Sequence, residues 1–244
     1  MIIYGLNPVL EALRAGRVKR VRIAARDDKR IDEAIAMARA KNVAVERVDA
    51  QALDRAARGG VHQGIVAEIE GVRDYSVEQL VAGAAPETPL LVVLDGVEDP
   101  HNLGAILRTV DASGAHGVIR QSRHSASLDG IAAKASAGAV SHVRIATVVN
   151  IARALEELKD AGVWTVGFAG DALDSYDGVD FTLPTALVVG AEGEGLRRLV
   201  RERCDRLVHI PMRGAVSSLN VSVATGAALF EAARQRRLKS VRME

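Results

Sequence analysis

The sequence predicts a two-part α/β protein, with a small α/β module over residues 1–70 and a doubly wound α/β domain over residues 90–244. In the first part, short β-like runs alternate with helical runs. From residue 90 onward the strand runs become almost continuously apolar, which is typical of parallel sheets buried on both faces. Residues 71–89 lose the strand pattern and contain two prolines, so we expect a linker there.

The first part has predicted strands over residues 18–24, 43–48 and 64–69, and predicted helices over residues 27–41 and 50–58. The period of two in VKRVRIA directs Val21 and Ile23 to one side of the sheet and Arg20 and Arg22 to the other. The basic residues therefore line an exposed face. The segment RGGVHQG (58–64) holds three glycines, which indicate a tight connection where a backbone can approach a ligand.

The charge of the chain is unevenly distributed, although its formal net value is only +1. Residues 14–30 hold eight Lys or Arg against two Asp, a local excess of six positive charges. Such a cluster matches the phosphate backbone of a nucleic acid, and an ordinary solvated face explains it equally well.

Several protein classes are disfavoured by what the sequence lacks. Cys204 is the only cysteine, which excludes an internal disulfide framework and a cysteine-rich zinc site. The six histidines show no H-x-x-x-H spacing, and neither G-x-S-x-G nor G-x-G-x-x-G occurs, so metalloenzymes, hydrolases and nicotinamide oxidoreductases are disfavoured. No apolar run reaches the ~18 residues of a membrane span, and the first residues lack a secretory pattern. We expect a soluble cytoplasmic protein that binds no metal.

The second part alternates strands and helices, with no helix predicted between the strands at 163–169 and 185–190. Its predicted strands cover residues 90–95, 117–119, 143–148, 163–169, 185–190 and 206–211. Its predicted helices cover residues 102–114, 130–138, 150–162, 194–203 and about 218–237. Gly114 is the expected C-terminal stop of the first of these helices.

Three blocks in the second part carry polar side chains at element ends. PHNLGAILRT (100–109) holds Asn102, which we interpret as a helix N-cap, and Arg108, which is an ordinary surface arginine on spacing alone. GAEGEG (190–195) is a glycine-rich turn with Glu192 at the carboxyl end of a buried strand, where open α/β sheets bind their ligands.

The third block, IPMRGAVSSLNVSVATGAALF (210–230), leads from the last strand into the last helix. Ser217 or Ser218 would cap this helix, and Asn220 would lie just inside it. Asparagine is unfavourable within a helix unless it has a task. The small residues that follow Asn220 predict close packing against another backbone.

Taken together and in this order, the three blocks resemble the signature motifs of the SpoU (TrmH) family of ribose 2′-O-methyltransferases, within the SPOUT class. The leading basic module resembles the group that methylates a guanosine of 23S ribosomal RNA. This resemblance implies an N-terminal L30e/L7Ae-like RNA-binding domain, a C-terminal SPOUT domain with a deep trefoil knot, S-adenosylmethionine as the methyl donor, and a homodimer with its site near the subunit boundary.

The resemblance also implies roles for residues of this chain. Arg108, Asn102, Glu192, Ser218 and Asn220 would form the catalytic and ribose-handling set. Gly190, Ile210 and Leu219 would hold the methyl donor through backbone groups. Because guanidinium rarely gives up a proton, we favour Arg108 as a clamp for phosphate and developing alkoxide over Arg108 as a base.

The aromatic content of 3% argues against a base-stacking platform for RNA and favours phosphate contacts and shape. Arg20, Arg22, His62 and Gln63 are therefore the candidate RNA contacts. Two alternatives stay open: a tRNA ribose 2′-O-methyltransferase of the same family, and an RNA-binding protein without catalysis. Intact Arg108, Glu192 and Asn220 argue against the second.

Overall fold

The computed structural model describes residues 1–24, 28–71 and 73–241. The chain divides into two compact units. One unit consists of Met1–Val72, Leu103–Arg108 and Ala126–His142, and the other of Arg73–Asn102, Thr109–Ser125 and Val143–Glu244. Arg26 and Asp27 of the basic cluster lie outside the described residues.

The first unit contains a four-stranded sheet in the order β1-β4-β2-β3. Its strands are β1 (Ile2–Tyr4), β2 (Val18–Ala24), β3 (Ala44–Val48) and β4 (Ile65–Ile69). The helices between them are α1 (Leu6–Arg14), α2 (Lys29–Ala40) and α3 (Ala50–Ala56). Strand β4 pairs antiparallel with both β1 and β2, whereas β2 and β3 run parallel.

The sequence predicted every strand of this sheet except β1, and every helix between its strands except α1. A three-residue strand is too short to show a period of two, and α1 begins after Gly5, which supplies no side-chain cap. The predicted alternation in β2 is confirmed, because Val21 and Ile23 are buried while Arg20 is exposed and Arg22 is half-buried.

The segment 126–142 belongs to the same unit and contains α6 (Ile131–Ala135) and a short 3-10 turn (Ala139–Ser141). The guanidinium of Arg17 donates to the carbonyl oxygens of Val140 and Ser141, at 3.3 and 3.0 Å, and to that of Gly71 at 3.1 Å. This arginine, a member of the basic cluster, therefore has a structural task.

The second unit contains a seven-stranded sheet in the order β7-β6-β5-β10-β8-β11-β9. Its strands are β5 (Leu90–Asp95), β6 (Gly117–Gln121), β7 (Ile145–Val148), β8 (Trp164–Phe168), β9 (Asp174–Ser175), β10 (Thr185–Gly190) and β11 (Arg206–His209). Each pairing between them is parallel. The predicted doubly wound α/β pattern is confirmed, and every residue of the apolar run β5 is buried.

The helices of the second part of the chain are α4 (Val77–Ala82), α5 (Pro100–Ser113), α7 (Ile151–Asp160), α8 (Arg198–Arg203) and α9 (Val221–Val241). Gly114 ends α5 with φ 74, as predicted. Two helices begin three or more residues later than the sequence predicted: α8 at Arg198 instead of residue 194, and α9 at Val221 instead of about residue 218. Within the described ranges, no helix has the length and apolar character needed to cross a membrane.

Candidate active site

A pocket of about 350 Å³ lies at the carboxyl ends of β8, β10 and β11 in the second unit. Its volume is in the range of small-molecule sites, and its place follows the rule that open α/β sheets bind ligands beyond the carboxyl ends of their strands. Five of the sequence-predicted site residues line it: Gly190, Glu192, Ile210, Ser218 and Leu219.

The sequence interpretation missed one wall of this pocket, formed by the last residue of β8 and the three that follow it (168–171) together with Arg201 of α8. Arg201 donates to both carboxylate oxygens of Asp171, at 2.7 and 2.9 Å. This ion pair lowers the pKa of Asp171. A signal for this wall was available, because the parallel strand at 163–169 must end at the same sheet edge as its neighbours.

The GAEGEG turn is closed on itself by backbone contacts. Ala191 and Gly195 exchange two hydrogen bonds, N to O, of 3.1 and 2.9 Å. A Cβ atom at Gly190 would lie 2.1 Å from the carbonyl carbon and oxygen of Gly195, which leaves no room for any side chain. Gly193 and Gly195 have φ of +83 and +70, which L side chains rarely adopt. The turn therefore requires these glycines, and it carries Glu192.

Three of the predicted catalytic residues form one chain of hydrogen bonds. Asn220 Nδ2 donates to Asn102 Oδ1 at 2.9 Å, and Asn102 Nδ2 donates to Glu192 Oε2 at 3.1 Å. At the other end, Asn220 Oδ1 accepts from the backbone N and the hydroxyl of Ser222, at 2.9 and 2.6 Å. Residues 102, 192, 220 and 222 are thereby joined across three separate chain segments.

The structure corrects the predicted roles of both asparagines. The side chain of Asp99, which accepts from the backbone N of His101 at 2.9 Å, caps α5 instead of Asn102. Asn102 lies inside the first turn, is 7% exposed, and uses its side chain for the hydrogen-bond chain. Asn220 precedes α9 and caps it, because its Oδ1 satisfies the backbone N of Ser222.

Two serines that were predicted as caps have another position. Ser217 and Ser218 are exposed and line the pocket, three or more residues before α9 begins. Leu219 is 36% exposed and lines the same pocket. Part of the segment between β11 and α9 therefore lines the pocket before Asn220 starts the helix.

Arg108 is not joined to this group. It is exposed, and among the described residues none forms a hydrogen bond or ion pair with it. Because Asn102 lies within the helix, the six-residue spacing turns Arg108 about 120° around the axis and moves it about 9 Å along it. Sequence spacing had left this point open.

The candidate RNA contacts of the first unit already have partners within the protein. Arg20 and Arg22 flank the carboxylate of Glu46 on the neighbouring strand, at 3.8 and 3.7 Å. His62 accepts from the backbone N of Gly64 at 3.0 Å. His62 Nε2 also lies 3.1 Å from Asp54 Oδ1, and the side chain of Gln63 accepts from the backbone N of Leu6 at 3.1 Å. His62 and Gln63 therefore hold the 58–64 loop in place, whereas Arg20 and Arg22 present their charge outward.

No group of three or more His, Cys, Asp or Glu side chains in the described parts of the chain is arranged to hold a metal ion. The fold and pocket define a two-part protein in which a parallel α/β sheet carries a nucleoside-sized site lined by carboxylates. A family model for RNA 2′-O ribose methyltransferase substrate binding matches residues 2–75, and the SpoU rRNA Methylase family model matches residues 89–230. The chain belongs to the SpoU rRNA Methylase family.

Curated and solved relatives agree with this assignment. The chain is 48% identical over 243 residues to the 23S rRNA (guanosine-2′-O-)-methyltransferase RlmB of Yersinia pestis, covering 98% of this chain and 99% of that protein. Its structure matches the SpoU methyltransferase AviRb of Streptomyces viridochromogenes in complex with AdoMet, with a TM-score of 0.81 and 29% identity, covering 98% and 91% of the two chains. A TrmH/SpoU tRNA modifying enzyme from A. aeolicus matches with a TM-score of 0.57 and 35% identity, covering 67% of this chain and 84% of that one.

Proposed function

We propose that this protein transfers a methyl group from S-adenosylmethionine to the ribose 2′-oxygen of a guanosine in 23S ribosomal RNA. The observation that carries the proposal is the hydrogen-bond chain from Asn220 through Asn102 to Glu192 at the rim of the pocket. It joins all three signature blocks of the family at one place, although the first block lies 90 residues from Glu192 and 118 residues from Asn220 in the sequence.

The pocket fits the methyl donor chemically. Val208, Ile210 and Leu219 offer apolar contact for the flat adenine ring, and the loops 168–171 and 190–195 bring backbone groups to the wall. S-adenosylmethionine carries a sulfonium and an ammonium group, and the pocket wall includes the carboxylates of Glu192 and Asp171. When bound, the donor supplies an electrophilic methyl group. We propose that Gly190, Ile210 and Leu219 hold it through their backbone.

The chain must do two things for the reaction. It must align the ribose hydroxyl with the methyl carbon. It must also stabilise the oxygen as its proton passes to solvent water, while the oxygen–carbon bond forms and the carbon–sulfur bond breaks to leave a neutral thioether. We assign alignment to Asn102, Glu192, Ser218 and Asn220. Arg108 stabilises the developing alkoxide and the adjacent phosphate as a fixed cation, because its guanidinium does not deprotonate.

We propose that residues 1–70 select the substrate. They precede a linker over residues 71–89 and a methyltransferase domain over residues 90–244. Arg20 and Arg22 lie on the exposed side of β2, where RNA phosphate can reach them. The relative that acts on 23S rRNA covers 98% of this chain, whereas the tRNA modifying enzyme leaves a third of it unmatched. Both comparisons support ribosomal RNA over tRNA as the substrate.

We further propose a homodimer and the trefoil knot of the family. Helix α9 leaves Val223 and Phe230 exposed at 55% and 54%, and the spacing of seven places them on one side of the helix. Exposed apolar residues on one helix face indicate a protein interface. The buried small residues Thr225 and Ala228 on the opposite side allow the close backbone packing that a knot requires.

The test is transfer of labelled methyl from S-adenosylmethionine to 23S rRNA and, in parallel, to total tRNA, followed by mapping of the modified nucleotide. We expect incorporation at the 2′-oxygen of a guanosine of 23S rRNA. Incorporation into tRNA alone would establish the tRNA alternative. Tight RNA binding without incorporation into either RNA would establish the non-catalytic alternative.

A further inference from the structure

Asp95 is a fully buried carboxylate at the end of β5, and both of its oxygens are bound by a single residue. Arg197 donates its backbone N to Asp95 Oδ2 at 2.9 Å and its Nε to Asp95 Oδ1 at 2.7 Å. A terminal guanidinium nitrogen of Arg197 also pairs with Oδ1. Burying a carboxylate this completely is costly unless charge and hydrogen bonds compensate it, as they do here.

The position of this pair gives it a task. In the sheet, Asp95 is the direct neighbour of Gly190, the residue at which the GAEGEG turn begins. Arg197 is the residue at which the turn ends, immediately before α8. The chain between them closes through the two hydrogen bonds of Ala191 and Gly195. The strand pairing of Gly190 and the ion pair of Arg197 therefore join the two ends of the turn to the end of a central strand.

The guanidinium of Arg197 extends the link to a third strand. The same terminal nitrogen that pairs with Asp95 also donates to Gln121 Oε1, at the end of β6, at 2.7 Å. Strands β10, β5 and β6 are consecutive in the sheet, so the clamp spans three strand ends. A turn that contains three glycines has little stiffness of its own, and it needs such an external support to hold a side chain in one place.

We propose that Asp95 and Arg197 are positioning residues for the methyl-transfer site. They hold the GAEGEG turn so that Glu192 meets Asn102 and so that the turn forms one wall of the donor pocket. Neither residue lines the pocket, so both act through the turn. The inference rests on the proposed function, because it concerns donor binding and turnover at that same site.

The experiment compares Asp95→Asn and Arg197→Gln with a matched control, Asp205→Asn, in the full-length protein. Asp205 accepts from the backbone N and the hydroxyl of Thr165, at 2.8 and 2.6 Å, and pairs with Lys159 at 3.0 Å, but it does not line the pocket. Donor affinity is measured by calorimetry with S-adenosylmethionine, turnover by methyl incorporation, and stability by thermal unfolding.

We expect both clamp variants to weaken donor binding by about tenfold, which corresponds to the loss of one charge-assisted hydrogen bond. The control should lose stability without losing donor affinity. The double variant should bind the donor no more weakly than the weaker single variant, because the two residues act as one unit. In a Glu192→Gln background, Asp95→Asn should cause no further fall in turnover at saturating donor.

Two results would overturn the proposed clamp. One is that the effects of the two substitutions on donor affinity multiply in the double variant. The other is that the clamp variants lose no more donor affinity than Asp205→Asn does. If Asp95→Asn fails to fold, Arg197→Gln decides, because its side chain is 47% exposed and the backbone N of residue 197 still donates to Asp95. A wild-type protein that binds no donor would instead count against the proposed function, so the two failures are distinguishable.

Discussion

Asn220 donates from its side-chain nitrogen to the side-chain oxygen of Asn102 at 2.9 Å, across 118 residues of sequence. The orientation of both amides is determined from the two ends of the chain of hydrogen bonds. The backbone N of Ser222 can only donate, so it must meet the oxygen of Asn220, and an ionised Glu192 can only accept, so it must meet the nitrogen of Asn102. The two amides can therefore link helix α9 to the GAEGEG turn in only one arrangement.

Asn220→Asp tests this directional link. Aspartate caps a helix as well as asparagine does, so α9 should keep its start. The nitrogen donor toward Asn102 is lost, however, and an oxygen then faces an oxygen. We expect turnover to fall about ten- to a hundredfold and the unfolding free energy to fall by about 1–3 kcal/mol. The matched control is Asn150→Asp, because Asn150 caps α7 through Arg153 N at 3.3 Å and has no link to the site. Equal turnover in the Asn220 variant and wild type would contradict the link.

Arg108→Ala separates a chemical role of this arginine from a binding role. We expect loss of nearly all turnover with donor affinity unchanged, because Arg108 does not line the pocket. Arg108→Lys should recover part of the activity if a fixed positive charge is what matters. The control Arg153→Ala removes an exposed helical arginine that pairs with Glu157 at 3.3 Å. An effect of Arg108→Ala on RNA affinity alone would show that this residue only binds RNA.

Gly190→Ala should collapse the turn. The added Cβ would overlap the backbone of Gly195, and a backbone contact cannot move aside as a flexible side chain can. We expect a loss of about 1–3 kcal/mol of stability together with a loss of donor binding. Gly178→Ala is the control, because a Cβ there meets nothing within 4 Å and should leave both properties unchanged. Thermal unfolding and calorimetry measure the two effects, and normal donor affinity in Gly190→Ala would argue against this view of the turn.

RNA affinity should respond in opposite directions to two changes on the β2–β3 face. Arg20→Ala with Arg22→Ala should weaken binding and lower the slope of log affinity against log salt by about 1–2, because two phosphate contacts are lost. Glu46→Gln should strengthen binding, since it removes the carboxylate that both arginines flank. Filter binding of a 23S rRNA fragment over a salt series measures both. Unchanged affinity in both variants would place the RNA surface elsewhere.

Cys204 should be inert in the native protein. Burial, followed by the nearby charge of Asp205, raises the pKa of the thiol to about 12, so almost none of it is thiolate at pH ~8. We expect iodoacetamide to modify Cys204 in denaturant and to leave the folded protein unmodified at the same pH. The reaction in the folded state should accelerate only as the pH approaches the raised pKa. Mass spectrometry after a timed pulse measures this, and rapid native labelling would be inconsistent with the raised pKa of the half-buried thiol.

Prediction from the sequence succeeded where the local periodicity of apolar residues reflects their burial. The apolar run at 90–95 and the alternation in 18–24 each reflect the two faces of a strand, so both strands were predicted with their observed bounds. It failed at β1 and α1, where three residues show no period and Gly5 supplies no capping side chain. It also placed the starts of α8 and α9 several residues too early. The hydrogen bonds between Ala191 and Gly195 hold the chain before α8 in a turn, and Asn220 starts α9 by accepting from the backbone N of Ser222.

By itself, the sequence determined the α/β alternation, the three blocks and the residue types that carry the chemistry, because these depend on local propensity and composition. Only the tertiary structure decided that Asn102 and Asn220 are joined to each other, that Asp99 and not Asn102 caps α5, and that Arg108 stands apart from the hydrogen-bonded group. The physical reason is that the sequence shows the same residue type, asparagine, whether its side chain caps a helix or forms a buried hydrogen bond. Which role an asparagine takes depends on the polar group that folding brings beside it.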